Sequence, residues 1–298
     1  MRNTDAFSTC HPGVNLTYFS LVLFFSMCWM HPVCLVISLL GAAIYDCCLR
    51  GRAAVIRSFW VLLPMALLAA IINPAFNHEG VTILTYLPSG NPLTLESILY
   101  GLAAAGMLTG VILWFSCVTV VMTSDKWVFL LGRVIPALSL ILSMTLRFVP
   151  KFKRQFQIVR EAQSCAGRDT ENGSLLRRAR NLVAVFSILV TWSLENAIET
   201  ADSMKSRGYG LPGRTAFSLY KLDDRDKGLL VWLLCCGLFL GSIWLLGGLD
   251  WRYYPNIKGA QFTAMTAGCW FVYLALCLTP VILQWREERL WNSLQSKI

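Results

Sequence analysis

Three acidic residues, Glu195, Glu199 and Asp202, recur at i, i+4 and i+7 and so share one face of any helix that holds them. Carboxylates in such a row can bind a metal ion or exchange protons with a substrate. They can equally well pair with basic residues such as Arg147 or Arg160. No Glu-x-x-His motif accompanies them, and the histidines, His11, His31 and His78, are scattered outside the segment that holds them. A metal centre and a bound cofactor are therefore not expected. The eleven cysteines fall mostly inside apolar runs, with no Cys-x-x-Cys pair, and read as small buried hydrophobes rather than ligands or a disulfide framework. No Gly-x-x-x-x-Gly-Lys-Ser/Thr phosphate loop occurs, so energy from ATP would have to come through a partner.

The sharpest local signal lies just beyond that acidic row, at Ser206-Arg207-Gly208. A guanidinium is a rigid five-donor fork that suits a bidentate carboxylate. At the tip of a stiff helix it transmits displacement better than it would on a loop. The plain alternative is a solvated arginine that complements the negative end of the helix dipole. Composition decides what surrounds it. Only 14% of the 298 residues are charged and 56% are hydrophobic. Soluble domains carry about 25% charge, so this is an integral membrane protein of all-α class. Six apolar runs are candidate spans: 15–29, 32–45, 59–72, 98–122, 229–246 and 262–283. The stretch 1–17 lacks a small-residue cleavage site, so the first run should remain as a helix.

Charge orients the set. Arg50, Arg52 and Arg57 lie between the second and third runs, and no Lys or Arg follows from 58 to 125. From 126 to 227 there are 17 basic residues against 9 acidic ones, in a chain of net charge +9. The positive-inside rule then places both termini and the 126–227 segment in the cytoplasm, with His31 and His78 outside. Only the loop with Arg252 and Lys258 disagrees. This predicts a four-helix region (1–125), a cytoplasmic coupling segment (126–227), and a closing hairpin with a short tail (228–298). The basic segment should also attract anionic lipid at the bilayer surface. Its aromatics are not interleaved with the charge, which argues against a nucleic-acid partner.

Within the basic segment, 134–146 and 182–194 are apolar but only 13 residues long, about 20 Å of helix against a core of about 30 Å. Neither is expected to span alone. Pro150 should end one helix, and a second over 151–166 should put Phe152, Phe156, Val159 and Ala162 on one face before Gly167 stops it. Asn172-Gly173 should turn the chain, Ser174 should cap a long helix over 175–207, and Gly208, Gly210, Pro212 and Gly213 should break it. In the fourth span, Gly106 and Gly110 form a Gly-x-x-x-Gly that permits close helix approach, to a neighbouring helix or to a membrane partner.

The stretch Ala201-Asp202-Ser203-Met204-Lys205-Ser206-Arg207-Gly208-Tyr209-Gly210 resembles the second coupling motif of the transmembrane T component (EcfT/CbiQ-like) of energy-coupling factor importers. Asp125-Lys126, Arg147-Phe148-Val149-Pro150, Glu161-Ala162-Gln163 and Trp192-Ser193-Leu194-Glu195-Asn196 extend the resemblance over about residues 10–226. The resemblance implies a non-catalytic subunit in a prokaryotic plasma membrane. Its partners would be two cytoplasmic ABC-type ATPases and a small membrane substrate-binding subunit that selects a vitamin or other micronutrient. It further implies two crossed coupling helices, each ending in an arginine that docks on one ATPase. The second such end is Ser206-Arg207-Gly208. The first falls at Cys165-Ala166-Gly167, where Ala166 stands in place of the arginine and Arg168 follows two residues on.

Two other readings compete. A self-sufficient secondary transporter or channel would show ionisable residues near the midplane of the spans or an inverted repeat. The spans carry no Lys, Arg, Asp or Glu in their central portions, and no repeat is evident. A membrane enzyme would have to use the Glu195, Glu199 and Asp202 face.

Overall fold

A computed structural model describes residues 5–86, 92–168, 170, 174–212, 220–259 and 263–295. The turn expected at Asn172-Gly173 and the breaker Gly213 lie outside the described residues. In chain order the elements are α1 (Pro12–Cys28), α2 (Pro32–Arg50), α3 (Arg52–Phe76), β1 (Ile83–Tyr86), β2 (Pro92–Thr94), α4 (Leu95–Val121), α5 (Ser124–Val134), α6 (Pro136–Cys165), α7 (Leu175–Ser206), α8 (Asp224–Leu245), β3 (Trp251–Arg252), β4 (Lys258–Gly259) and α9 (Ala264–Gln295). The two strand pairs are small antiparallel hairpins, β1 with β2 and β3 with β4. The other elements among the described residues are all helices, as an all-α membrane protein should have. Contacts divide it into two units, residues 1–123 with 220–298, and residues 124–219.

In the first unit, α1 and α2 both begin at a His-Pro pair. Pro12 and Pro32 stand in the first turn, where a missing N–H costs nothing, and the preceding histidine caps it. His11 Nδ1 accepts from the Gly13 amide at 3.1 Å, and His31 Nδ1 from the Val33 amide at 3.2 Å. The core gathers where α1, α2, α4 and α9 meet. Trp114 is fully buried and donates its indole N–H to Ser38 Oγ at 3.0 Å. Tyr18 donates to the Cys277 carbonyl at 3.0 Å. Gly41 allows α2 to reach α9, for a Cβ there would stand 2.9 Å from Cys277 Cβ. Phe7 plugs one end, edge-on to Tyr18 at 4.9 Å and to Tyr45 at 6.4 Å. At the opposite end Tyr253 donates to the Met30 carbonyl at 2.9 Å, and Tyr254 to Asn73 Oδ1 at 3.2 Å.

Five of the six expected spans have the length and composition to cross a membrane: α2, α3, α4, α8 and α9. Most run past their apolar stretches, as α9 does to Gln295, because a helix continues into polar sequence as long as its backbone bonds do. The sixth, α1, is apolar but has 17 residues, about 26 Å. In the second unit α7 also has the length and composition of a span. The helix expected over 175–207 is there as a single run of 32 residues; its apolar part, 182–194, is short, but the whole helix has a span's length.

The second unit holds α5, α6 and α7. Its first break falls at Ile135-Pro136 and not at Pro150, which sits inside α6. Pro136 starts α6, where its lost N–H is free of cost, whereas Pro150 forgoes only the one bond to the Leu146 carbonyl and the 30-residue helix carries on. Ser139 Oγ donates to the Val128 carbonyl at 2.9 Å, folding α6 back on α5.

Candidate functional site

Two helices of the second unit end in the same way. At the end of α7, the Gly208 amide donates to the Lys205 carbonyl and the Tyr209 amide to the Met204 carbonyl, both at 3.0 Å. At the end of α6, the Gly167 amide donates to Ser164 at 3.0 Å and the Arg168 amide to Gln163 at 2.9 Å. Each is a Schellman motif, closed by a glycine in the left-handed region, Gly208 at φ 76° and Gly167 at φ 75°. The two motifs align residue by residue. Ser206 corresponds to Cys165, Arg207 to Ala166, Gly208 to Gly167, and Tyr209 to Arg168.

Arg207 is therefore a C-cap residue whose backbone is fixed by its neighbours. Its amide donates to the Ser203 carbonyl at 3.3 Å, and Ser206 Oγ donates to the same carbonyl at 2.9 Å. The side chain is exposed, and its guanidinium joins no salt bridge among the described residues. The same holds for Arg168. A free planar fork on a rigid cap can receive a carboxylate.

The helices behind these caps pack antiparallel across a short zone. Phe156 and Val159 of α6 meet Val185 and Leu189 of α7, while Phe152 stands edge-on to Trp192 at 5.4 Å. Lys151 Nζ donates to Asn196 Oδ1 at 2.6 Å and lies 5.2 Å from the centre of the Trp192 ring. Pairing runs from 151 with 196 to 159 with 185, so the two caps project from opposite sides of the crossing. By helical rise they lie about 15 Å along α6 and about 24 Å along α7 from its centre.

The other candidates fall elsewhere. Glu195, Glu199 and Asp202 are exposed along α7 and enter no salt bridge among the described residues, so pairing with Arg147 or Arg160 does not hold them. Among the described residues no cluster of His, Cys, Asp or Glu could hold a metal. Gly110 makes ordinary contact with α2, its added Cβ reaching Ser38 Oγ at 3.8 Å, while a Cβ at Gly106 would meet nothing within 4 Å. The close approach in α4 occurs at Gly101, where a Cβ would stand 2.6 Å from the Ala70 carbonyl of α3. His31 is buried beside Trp251 at 4.8 Å and Trp270 at 5.3 Å, and burial lowers its pKa. Sequence reasoning missed Gly41, Gly101 and the Lys151–Trp192 contact. Gly101 opens the run Gly101-Leu102-Ala103-Ala104-Ala105, whose small residues were the available signal.

A family model described as CbiQ, cobalt transport protein, matches residues 12–217. The chain is 34% identical over 110 residues to the energy-coupling factor transporter transmembrane protein EcfT of Clostridium kluyveri, covering 36% of this chain and 41% of that protein. It is 33% identical over 112 residues to EcfT of Exiguobacterium sibiricum, covering 37% and 42%. With EcfT of Lactococcus lactis subsp. cremoris it shares 33% over 104 residues, covering 35% and 39%. The chain thus spans about two fifths of the length of these curated relatives.

Proposed function

The chain belongs to the family of CbiQ, the cobalt transport protein, and from that premise we propose that it is the transmembrane energy-coupling subunit of an energy-coupling factor importer. It links ATP hydrolysis by two cytoplasmic ATPase subunits to a small membrane subunit that binds a vitamin or other micronutrient. ATP hydrolysis resides in those partners, in keeping with a chain that has no phosphate loop. The segment 126–227 faces the cytoplasm with both termini, in the plasma membrane of a prokaryote, as its 17 basic residues favour.

The observation that carries this reading is Arg207 on the Schellman cap of a 32-residue helix, exposed and without an internal carboxylate partner among the described residues. Such an arginine docks in an acidic groove of an ATPase. Rotation or closure of the ATPase pair then moves the cap, and α7, pinned to α6 at Lys151, Trp192 and Asn196, turns as a lever. The cap at Cys165, Ala166, Gly167 and Arg168 forms the second contact, with Arg168 supplying the charge that Ala166 lacks.

The test is co-expression with two ATPase subunits and a substrate-binding subunit, comparing wild type with Arg207→Glu. The variant is expected to lose the ATPases on affinity purification and to lose ATP-driven uptake. Full complex and full uptake in that variant refute the proposal.

A further inference from the structure

The third helix is the odd member of the first unit. Of its 25 residues only Leu62 is buried. It is held near one end, where Gly101 admits the Ala70 carbonyl and Tyr254 bonds Asn73 at 3.2 Å. Alongside that contact a cavity of about 570 Å³ lies between α2, α3 and α4. Leu39, Leu63, Ala66, Leu102 and Gly106 are among the groups around it, and they are apolar. A water molecule there would find almost no polar partner, so the space suits hydrocarbon. Gly106 opens onto it, with nothing within 4 Å of an added Cβ.

Toward the other end of α3 a second cavity, of about 440 Å³, is lined by Arg50, Arg57, Ser58 and Ser116. Leu62 lines both cavities, so the two lie on either side of one side chain. Arg50 is fixed in place, with Nε 3.0 Å from the buried Asp46 Oδ1 and Nη2 2.6 Å from the Ser116 carbonyl. Arg57 is exposed and enters no salt bridge among the described residues, so the pocket keeps positive charge beyond what Asp46 offsets. A hydrocarbon slot adjoining a cationic, hydroxyl-bearing pocket has the polarity of one phospholipid molecule.

We propose that an anionic phospholipid occupies this groove, its phosphate on Arg57 and Arg50 with Ser58 and Ser116 beside it, and an acyl chain running past Leu62 to Gly106. The end carrying the arginines is the one that charge asymmetry assigns to the cytoplasmic leaflet, where anionic lipid is available. The lipid fills the wedge behind α3 and fixes that helix against α4. This site is independent of how the second unit engages any partner.

The experiment reconstitutes the full chain in nanodiscs of equal phosphatidylglycerol and phosphatidylcholine, transfers it to mild detergent and counts retained lipids by native mass spectrometry. Wild type is expected to keep one phosphatidylglycerol, preferred about fivefold over phosphatidylcholine, the factor one basic side chain beside an anionic lipid contributes. Arg57→Ala should erase the preference, and Gly106→Leu, which fills the slot without a clash at Cβ, should lower retention of both lipids. Inorganic phosphate at millimolar concentration should not displace the lipid. Equal retention of the two lipids by wild type overturns the proposal even if neither variant folds. Displacement by free phosphate, or retention unchanged in both variants as an apolar partner helix in the slot would give, overturns it as well.

Discussion

Ala166 and Arg207 hold the same position, the C-cap residue of a Schellman-closed helix, at the ends of α6 and α7. The backbone around them is the same, so Ala166→Arg places a guanidinium on α6 as Arg207 stands on α7. If these caps dock carboxylates, the substitution adds a charge-assisted contact of about 1.5–3 kcal/mol. Dissociation of the ATPases, followed by surface plasmon resonance on the assembled complex, is expected to slow tenfold or more. An unchanged off-rate would show that the α6 cap is not a docking point.

The cap itself can be weakened without touching the arginine. Gly208→Ala forces a side chain into the left-handed region, at about 1–2 kcal/mol, and brings its Cβ within 3.1 Å of Leu211 Cδ1. Gly167→Ala meets the same backbone strain but open space. Hydrogen exchange at the amides of residues 208 and 209 is expected to speed up about tenfold in the first variant, and by less at 167 and 168 in the second. Equal effects at the two caps would mean that Leu211 yields freely.

Much of this was legible before any coordinates. Ser174 before α7 and glycines after α6 and α7 mark helix ends by local chemistry alone, and the structure ends those helices there. Pro150 misled because a proline's cost is a single lost bond and a clash, which a helix of 30 residues absorbs, whereas the first turn at Pro136 absorbs it free. The length of α7 was legible as a helix over 175–207; what misled was measuring the apolar stretch 182–194 between Arg180 and Glu195, since it is the whole helix that has the length and composition of a span. Gly101 and Gly106 look alike in sequence. Which of them admits a neighbour depends on where α3 leans, a property of tertiary packing that no local pattern carries.

The crossing of α6 and α7 rests on a small polar and aromatic contact. Lys151 bonds Asn196 at 2.6 Å and covers the Trp192 ring at 5.2 Å. Lys151→Met keeps the stem and removes both, at a cost of about 0.5–1 kcal/mol for an exposed cation over a ring. A double-mutant cycle with Trp192→Leu, read by chemical denaturation in detergent, is expected to return a coupling of similar size. Strict additivity would mean the contact contributes nothing to the crossing.

Acid should weaken the first unit through His31. Its neutral Nδ1 accepts the Val33 amide at 3.2 Å, and its burial between Trp251 and Trp270 lowers its pKa in the fold. The unfolded side chain titrates near about 6.5. Above that pH both states are neutral and nothing changes. Below it the unfolded chain binds a proton that the folded one refuses, so stability falls by up to about 1.4 kcal/mol per pH unit until the folded pKa is reached. The difference in Tm between pH 7.5 and pH 5 is expected to shrink in His31→Asn, whose amide oxygen can still cap α2. An identical pH profile in that variant would exonerate His31.

Two glycines five residues apart on α4 should respond in opposite ways to one added methyl group. At Gly101 the new Cβ falls 2.6 Å from the Ala70 carbonyl and 3.3 Å from Asn73 Cβ, so α3 must move backbone to admit it. Overpacking of that kind costs about 1–3 kcal/mol. At Gly106 the methyl meets nothing within 4 Å, and alanine is the better helix former by about 1 kcal/mol. Gly101→Ala is expected to lower the Tm of the purified chain by several degrees, and Gly106→Ala to leave it unchanged or raise it. The opposite order would place the contact between α3 and α4 at the cavity instead of at Ala70, and α3 would then have no space behind it for lipid.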